Sequence, residues 1–145
     1  MKEAIDVLDR IGVRFLLWGS YALQIHGFEF DQSDIDVWLD PNLDDETWHA
    51  EVKRIAGDHD IEYREHRNEA PPFRFARIKT DPFVDLMTRR KGFIDADFDV
   101  LHETAMVTRF GRVPTIRSIL RSKLTAARPK DFRHVMRCAR QLLNG

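Results

Sequence analysis

One cysteine in 145 residues, Cys138, excludes a disulfide framework and leaves no set of thiolates for a zinc site. Its expected place is the core, in a chain that suits a reducing compartment. No apolar stretch approaches the ~20 residues of a membrane-spanning helix, and Met1-Lys2-Glu3-Ala4-Ile5-Asp6 carries acids where a signal peptide needs an apolar run. A cytoplasmic location with no membrane contact is the expectation. Seven glycines and six prolines are too few for a fibrous or low-complexity chain, and no internal repeat is visible. The histidines other than His26, namely His49, His59, His66, His102 and His134, lack metal-ligand spacing such as H-E-x-x-H.

What is present is 43% apolar and 32% charged residues, enough for a hydrophobic core in a chain the size of one ordinary domain. The expectation is one domain over 1–145, with a core over about 13–100 and a helical part over about 114–143. The net charge of −1 hides a division. Residues 1–108 hold 13 Lys+Arg against 23 Asp+Glu, whereas residues 109–145 hold 10 against Asp131 alone. A basic tail of this kind suits a phosphate-rich partner, but it suits equally an acidic half that it faces, or a solvated arginine face.

Periodicity reads the elements. Ala4, Ile5, Leu8 and Ile11 fall at helical spacing before Gly12, a candidate C-cap. Val13–Trp18 is a run of β-formers buried on both faces, expected to be a central strand. Gly19-Ser20 then leads into a short helix over Tyr21–His26, with Ser20 placed to cap it and Gly27 to stop it. From Asp34 the chain alternates, with Ile35, Val37 and Leu39 on one side and Asp34, Asp36, Trp38 and Asp40 on the other. A helix carrying Leu43, Trp48, Val52 and Ile55 follows and stops at Gly57. Strands near Ile61–Glu65, Phe73–Ile78 and Pro82–Met87, broken by a polar turn around Arg67–Pro72, extend the sheet as antiparallel neighbours. Arg89–Asp99 reads as a loop, and Leu101–Val113 is ambiguous. Two helices close the chain, one turning Ile116, Ile119, Leu120 and Leu124 inward, the other Phe132, Val135, Met136, Ala139 and Leu143. The fold class is α/β (α+β), a mixed sheet flanked by helices.

Asp34 and Asp36, one residue apart on a strand, project from one face and repel unless a cation or several donors compensate them. Asp85 is a charge among Phe83-Val84 and Leu86-Met87, where an unpaired carboxylate is costly. Three aspartates on neighbouring strands suit two hard divalent ions at the spacing of in-line phosphoryl chemistry. They suit as well a solvated polar face, or pairing with some of the many arginines. Gly19-Ser20 adds a backbone free to approach phosphate oxygens at a helix start.

Leu16-Leu17-Trp18-Gly19-Ser20, then His26-Gly27, then Ser33-Asp34-Ile35-Asp36-Val37, resembles the Gly-[Gly/Ser] … Asp-x-Asp signature of the nucleotidyltransferase superfamily, built on the DNA polymerase beta-type catalytic core. Val84-Asp85-Leu86 is similar to its third-carboxylate strand. Ser122-Lys123-Leu124-Thr125-Ala126-Ala127-Arg128-Pro129-Lys130-Asp131 resembles the lysine-rich element of its minimal bacterial members, a subgroup that includes abortive-infection-type toxins. The resemblance spans about residues 13–143. It implies the nucleotidyltransferase fold with two C-terminal helices, a nucleoside triphosphate such as ATP held by Gly19, Ser20, Lys123 and Lys130, and Mg²⁺ or Mn²⁺ held by Asp34, Asp36 and Asp85. Asp85 would also help deprotonate the attacking hydroxyl. Phe30 and Gln32 stand where related proteins often carry an arginine and a threonine.

Lys123 sits at Ile116 plus seven, on the apolar stripe of its own helix, so it either snorkels from the stripe edge or reaches into a cleft. Asp131, opening a helix after Pro129, suits the helix start electrostatically. Family members use Lys130 and Asp131 near the active site. His26 reads as structural, and Trp38, on the carboxylate face, is the one aromatic placed to stack on a base. The expected activity is transfer of a nucleoside monophosphate to an acceptor, with tRNA or other RNA, a protein and a small molecule all open, and release of pyrophosphate. A toxin with a cognate antitoxin is one expected setting. The alternatives are a nucleotide- or partner-binding module without turnover, and a structural α/β protein with arginine-paired aspartates.

Overall fold

A computed structural model describes residues 1–31, 34–66 and 73–144. Gln32, Ser33 and the turn expected at 67–72 lie outside the described residues. The elements run α1 Lys2–Asp9, β1 Phe15–Trp18, α2 Gly19–Ile25, β2 Ile35–Leu39, α3 Asp45–Ala56, β3 Ile61–His66, β4 Phe73–Ile78, β5 Val84–Met87, α4 Asp97–Thr104, β6 Met106–Thr108, β7 Gly111–Val113, α5 Ile116–Ala126 and α6 Pro129–Asn144. The strands form one mixed sheet in the order β3-β4-β5-β2-β1-β7-β6. The expected α+β class is the one observed. Among the described residues no helix is long and apolar enough to cross a membrane.

Alternation in β2 sorts the two faces of the sheet. Ile35, Val37 and Leu39 join Leu17, Ala76, Ile78, Val84 and Leu86 in the main core, beneath Val7 and Leu8 of α1 and Trp48, Val52 and Ile55 of α3. The other face carries a smaller cluster of Leu16, Trp18, Trp38 and Phe98, to which α4 contributes the phenylalanine. β1 is thus buried on both faces, as its unbroken apolar run requires.

Several local expectations give way. Strand β5 pairs antiparallel with β4 but parallel with β2. The expected run of antiparallel neighbours fails there because the long excursion through α3, β3 and β4 lets the chain return in the same direction as β2. Helix α1 ends at Asp9 with Arg10 as its right-handed cap, and Gly12 is an ordinary loop residue whose N–H donates to Glu51. Ser20 lies inside α2 rather than capping it, since Trp18 holds the cap position. Part of the ambiguous stretch is the hairpin β6–β7, and the expected loop ends at α4.

Helix α6 departs most from its pattern. Its apolar stripe of Phe132, Met136 and Leu143 is exposed, and Leu124 of α5 is exposed too, whereas the residues fully buried on α6 are Asp131 and Cys138. The helix is turned so that polar side chains face the protein, which places them where chemistry needs them. Truncation should therefore discriminate sharply. Leu86→Ala is expected to cost about 2–5 kcal/mol in urea unfolding, and Leu143→Ala, at a side chain 86% exposed, within about 0.5 kcal/mol of zero.

Candidate active site

Strand register builds the site. Trp18 of β1 lies opposite Asp36 of β2, Asp36 beside Asp85 of β5, Asp85 opposite Arg77 of β4, and Arg77 opposite Glu62 of β3. Residues paired across a sheet share a face, so one row crossing five strands sets Asp36 and Asp85 side by side, with Arg77 between Asp85 and Glu62. Asp34, two residues before Asp36, joins the same side at the start of β2. Gly19 closes the row from below. Its φ is +65°, and a Cβ built there would stand 2.5 Å from Asp36 Oδ2. No other residue leaves that carboxylate its place.

Each aspartate is met by a cation, in different degree. Arg77 grips Asp85 with both arms of its fork, Nε to Oδ1 at 2.8 Å and Nη2 to Oδ2 at 2.9 Å, and its Nη2 also reaches Asp34 Oδ2 at 3.4 Å. This pairing raises the Arg77 pKa, chiefly through the hydrogen bonds it donates to Asp85. Among the described residues Asp36 has only a looser partner, Arg90 Nη2 at 3.7 Å. Burial pushes the Asp36 carboxyl up, Asp85 and Asp34 add repulsion, and Arg90 and Lys123 compensate only in part. Burial also lowers Arg90, whose Nε is buried without a partner while Nη1 points at the Met87 sulfur. Asp36 is a carboxylate short of positive charge.

The basic tail supplies the opposite wall. Lys123 is buried, its Nζ 2.9 Å from His134 Nδ1, 3.5 Å from Ser20 Oγ and 3.9 Å from Asp131 Oδ1. Of the two positions open to it, Lys123 takes the cleft rather than the stripe edge. An ammonium only donates, so Nδ1 of His134 must accept and the ring is neutral with its proton on Nε2. Burial and the neighbouring Lys123 charge bring the His134 pKa down to about 4. Lys123 is itself lowered by burial, against the raising fields of Asp131 and Asp36. Asp131, fully buried, is pushed up by burial, but hydrogen bonds from Arg128 at 2.7 and 3.2 Å outweigh this and hold its carboxyl below the usual range. Phe30 packs edge-on against the His134 ring at 5.0 Å under Arg137, so it braces this wall from outside.

Between the walls lies a cavity of about 580 Å³. It brings together Ser20, Asp34, Asp36, Asp85, Lys123, Lys130 and Asp131 of the expected residues, with Gly19 beneath Asp36. Sequence reasoning missed Arg77, Arg90, Arg128 and His134, which also line it. Arg77 was findable, because a hairpin turned about Asp81 pairs 77 with 85. Arg90 and Arg128 lie just outside regular elements, where no periodicity marks them. Eight cationic side chains face four aspartates in the lining, so the cavity as a whole attracts anions although its floor is acidic. Trp38 is not available to a base. It is fully buried among Trp18, Phe93 and Phe98, with Nε1 bonded to the Thr88 carbonyl. His26 is structural, its Nε2 donating to the Pro114 carbonyl at 2.7 Å.

The donor chemistry of the floor fits a hard divalent cation: all-oxygen carboxylates, one of them under-compensated, with Gly19 leaving them room. As the side chains stand, the described residues contain no group of three or more His, Cys, Asp or Glu arranged to hold an ion. Arg77 engages Asp85 with both arms and Asp34 with one, which leaves Asp36 as the carboxylate that would meet an ion first.

No family model and no curated protein matches the chain. Two solved structures do. JHP933 from Helicobacter pylori is 15% identical with a TM-score of 0.53, and an H. pylori protein that its name presents as a candidate nucleotidyltransferase is 14% identical with a TM-score of 0.53. Each match covers 85% of this chain, and 53% and 55% of those chains, so the chain spans about half their length. At such identity the likeness establishes a shared fold.

Two outcomes test these electrostatics. A carboxyl whose pKa is raised on folding weakens the fold progressively as pH rises from its unfolded through its folded pKa, and in full above that, so in metal-free buffer at pH 8 Asp36→Asn should melt higher than the parent; a lower melting temperature would mean that Arg90 satisfies Asp36. A histidine lowered to about 4 leaves the unfolded chain binding the extra proton below pH 6.5. Stability should therefore fall as pH drops from 6.5 towards 4, and less steeply in His134→Gln, measured by denaturant titration across that range.

Proposed function

We propose that the chain is a nucleotidyltransferase, moving a nucleoside monophosphate from a triphosphate to an acceptor with release of pyrophosphate. The observation that carries this reading is the row Asp36–Asp85 beside Gly19, a carboxylate pair of which Asp36 is under-compensated, on the floor of a cavity with cationic walls. Such a cavity suits a polyanion bound through shared cations. The acidic floor alone would repel it, and the basic walls alone would give no reason to keep Asp36 charged. The fold shared with the H. pylori protein of that name supports the same reading.

In this reading Asp34 and Asp36 would hold Mg²⁺ or Mn²⁺, joined by Asp85, and the ion would supply Lewis acidity at the reacting phosphate and neutralise its charge. Lys123, Lys130 and Arg128 take the outer phosphates, while Ser20 holds Lys123 in direction through its hydroxyl. The acceptor oxygen attacks the α-phosphorus and its proton passes to Asp85. The bond between the α-phosphorus and the bridging oxygen breaks, and that oxygen leaves on pyrophosphate with the electron pair. The chain contributes position and charge rather than a covalent intermediate.

The β3–β4 side of the cavity favours RNA among the acceptors. Phe73 and Phe75 lie near parallel at 6.4 Å, with the Arg64 guanidinium 5.2 Å from the Phe75 ring centre, a pairing of aromatic and arginine planes on which unpaired bases stack. The second reading, a nucleotide-binding module without turnover, draws on the Arg77 clamp over Asp85. Mass-spectrometric detection of nucleotide addition to total RNA, with each triphosphate and Mg²⁺ or Mn²⁺, separates the two. Addition by the parent protein, reduced at least a thousandfold in Asp36→Asn and about 10²–10³-fold in Lys123→Ala, is expected. Triphosphate binding in calorimetry without pyrophosphate release in any acceptor mixture would instead establish the module.

A further inference from the structure

The clamp between Arg77 and Asp85 is more than a salt bridge on the way to a core. Arg77 is engaged several ways on the cavity floor: both arms on Asp85, a third contact to Asp34, and its guanidinium 4.9 Å from the Phe83 ring centre and 5.9 Å from that of Phe75. Register fixes its starting point directly opposite Asp85, so sheet formation alone brings the pair together. Yet the same guanidinium lines a cavity that Lys123, Arg128 and Lys130 of the basic tail also line. It is placed to bond either a carboxylate or an incoming phosphate.

We infer that Arg77 is a positioning residue that occupies Asp85 in the resting protein and exchanges it for substrate phosphate, so that it competes with the divalent cation until a triphosphate arrives. The inference rests on the nucleotidyltransferase reading. Its physical basis is that one fork-shaped donor satisfies one planar acceptor at a time at bidentate geometry. While both Asp85 oxygens accept from Arg77, the lone pairs facing the fork are taken and a metal approaching Asp85 meets the guanidinium charge beside it, which weakens its binding. A phosphate oxygen offers the guanidinium equivalent bonds, so taking Arg77 onto phosphate removes the competitor. Reciprocity of linked binding then requires metal and nucleotide to strengthen one another through this residue.

The clamp also accounts for the unequal treatment of the aspartates. Asp85 and Asp34 are compensated within the protein, and Asp36 is left with a partner at 3.7 Å. An ion would meet Asp36 first, and full coordination would wait for the nucleotide. This order protects the site from holding metal without substrate.

The test reads metal affinity rather than turnover. Mn²⁺ binding to the full chain, free of nucleotide, is followed by calorimetry and by electron paramagnetic resonance of free Mn²⁺, for the parent protein, Arg77→Gln and Arg77→Lys, each checked for fold by circular dichroism. Arg77→Gln should bind Mn²⁺ at least tenfold more tightly than the parent. Arg77→Lys, which keeps the charge but loses the fork, should fall between, and it carries the comparison if the glutamine variant does not fold. Adding Asp36→Asn to either variant should abolish the binding, which assigns it to this site. Inorganic triphosphate supplies the second arm: the gain in its affinity on adding Mn²⁺ should be smaller in Arg77→Gln than in the parent. Equal Mn²⁺ affinity in the parent and both Arg77 variants would overturn the inference while leaving the nucleotidyltransferase reading intact. No Mn²⁺ bound by any of them at millimolar concentration would overturn that reading, and the inference with it.

Discussion

Two carboxylates held side by side on adjacent parallel strands repel each other, and the rest of the site is arranged around that repulsion. Asp36 and Asp85 are neighbours by backbone register, so side-chain rotation alone cannot take them far apart. Asp85 is neutralised by Arg77, and Asp36 is left with burial and like-charge repulsion that Arg90 and Lys123 only partly offset. A fold selected for stability alone has cheaper solutions, such as an apolar residue at either position. The arrangement suits the cation-holding role proposed for it.

The C-terminal helices extend the same logic. Helix α5 packs on α2 and sends Lys123 beside Ser20; helix α6 turns Asp131 and His134 inward and leaves Phe132, Met136 and Leu143 outside. A buried lysine, a buried aspartate and a neutral histidine satisfy one another there, with Arg128 completing the aspartate. Each of these groups would be costly alone in that setting. Together they form a wall of fixed polarity across from the carboxylates, and acidic floor and basic wall come from the two oppositely charged parts of the sequence.

The sequence by itself determined most of the sheet. Apolar run length and alternation marked β1, β2, β4 and β5 to within two residues, because burial on one or both faces leaves a periodic imprint that short-range patterns carry. Alternation likewise put Asp34 and Asp36 on one side of β2, and the anomalous charge at Lys123 singled out a cleft residue. The α+β class followed from the order of those elements.

Tertiary structure decided what pairs with what. The parallel register of β2 and β5, the Arg77 grip on Asp85 and the burial of Trp38 beneath α4 depend on strand order and on a helix contributed from sixty residues away, and no local period encodes them. Helix α6 shows the limit from the other side. Its apolar stripe was legible but pointed outward, because the contacts made by Asp131, His134 and Cys138 with the rest of the fold, rather than its own amphipathicity, set its rotation.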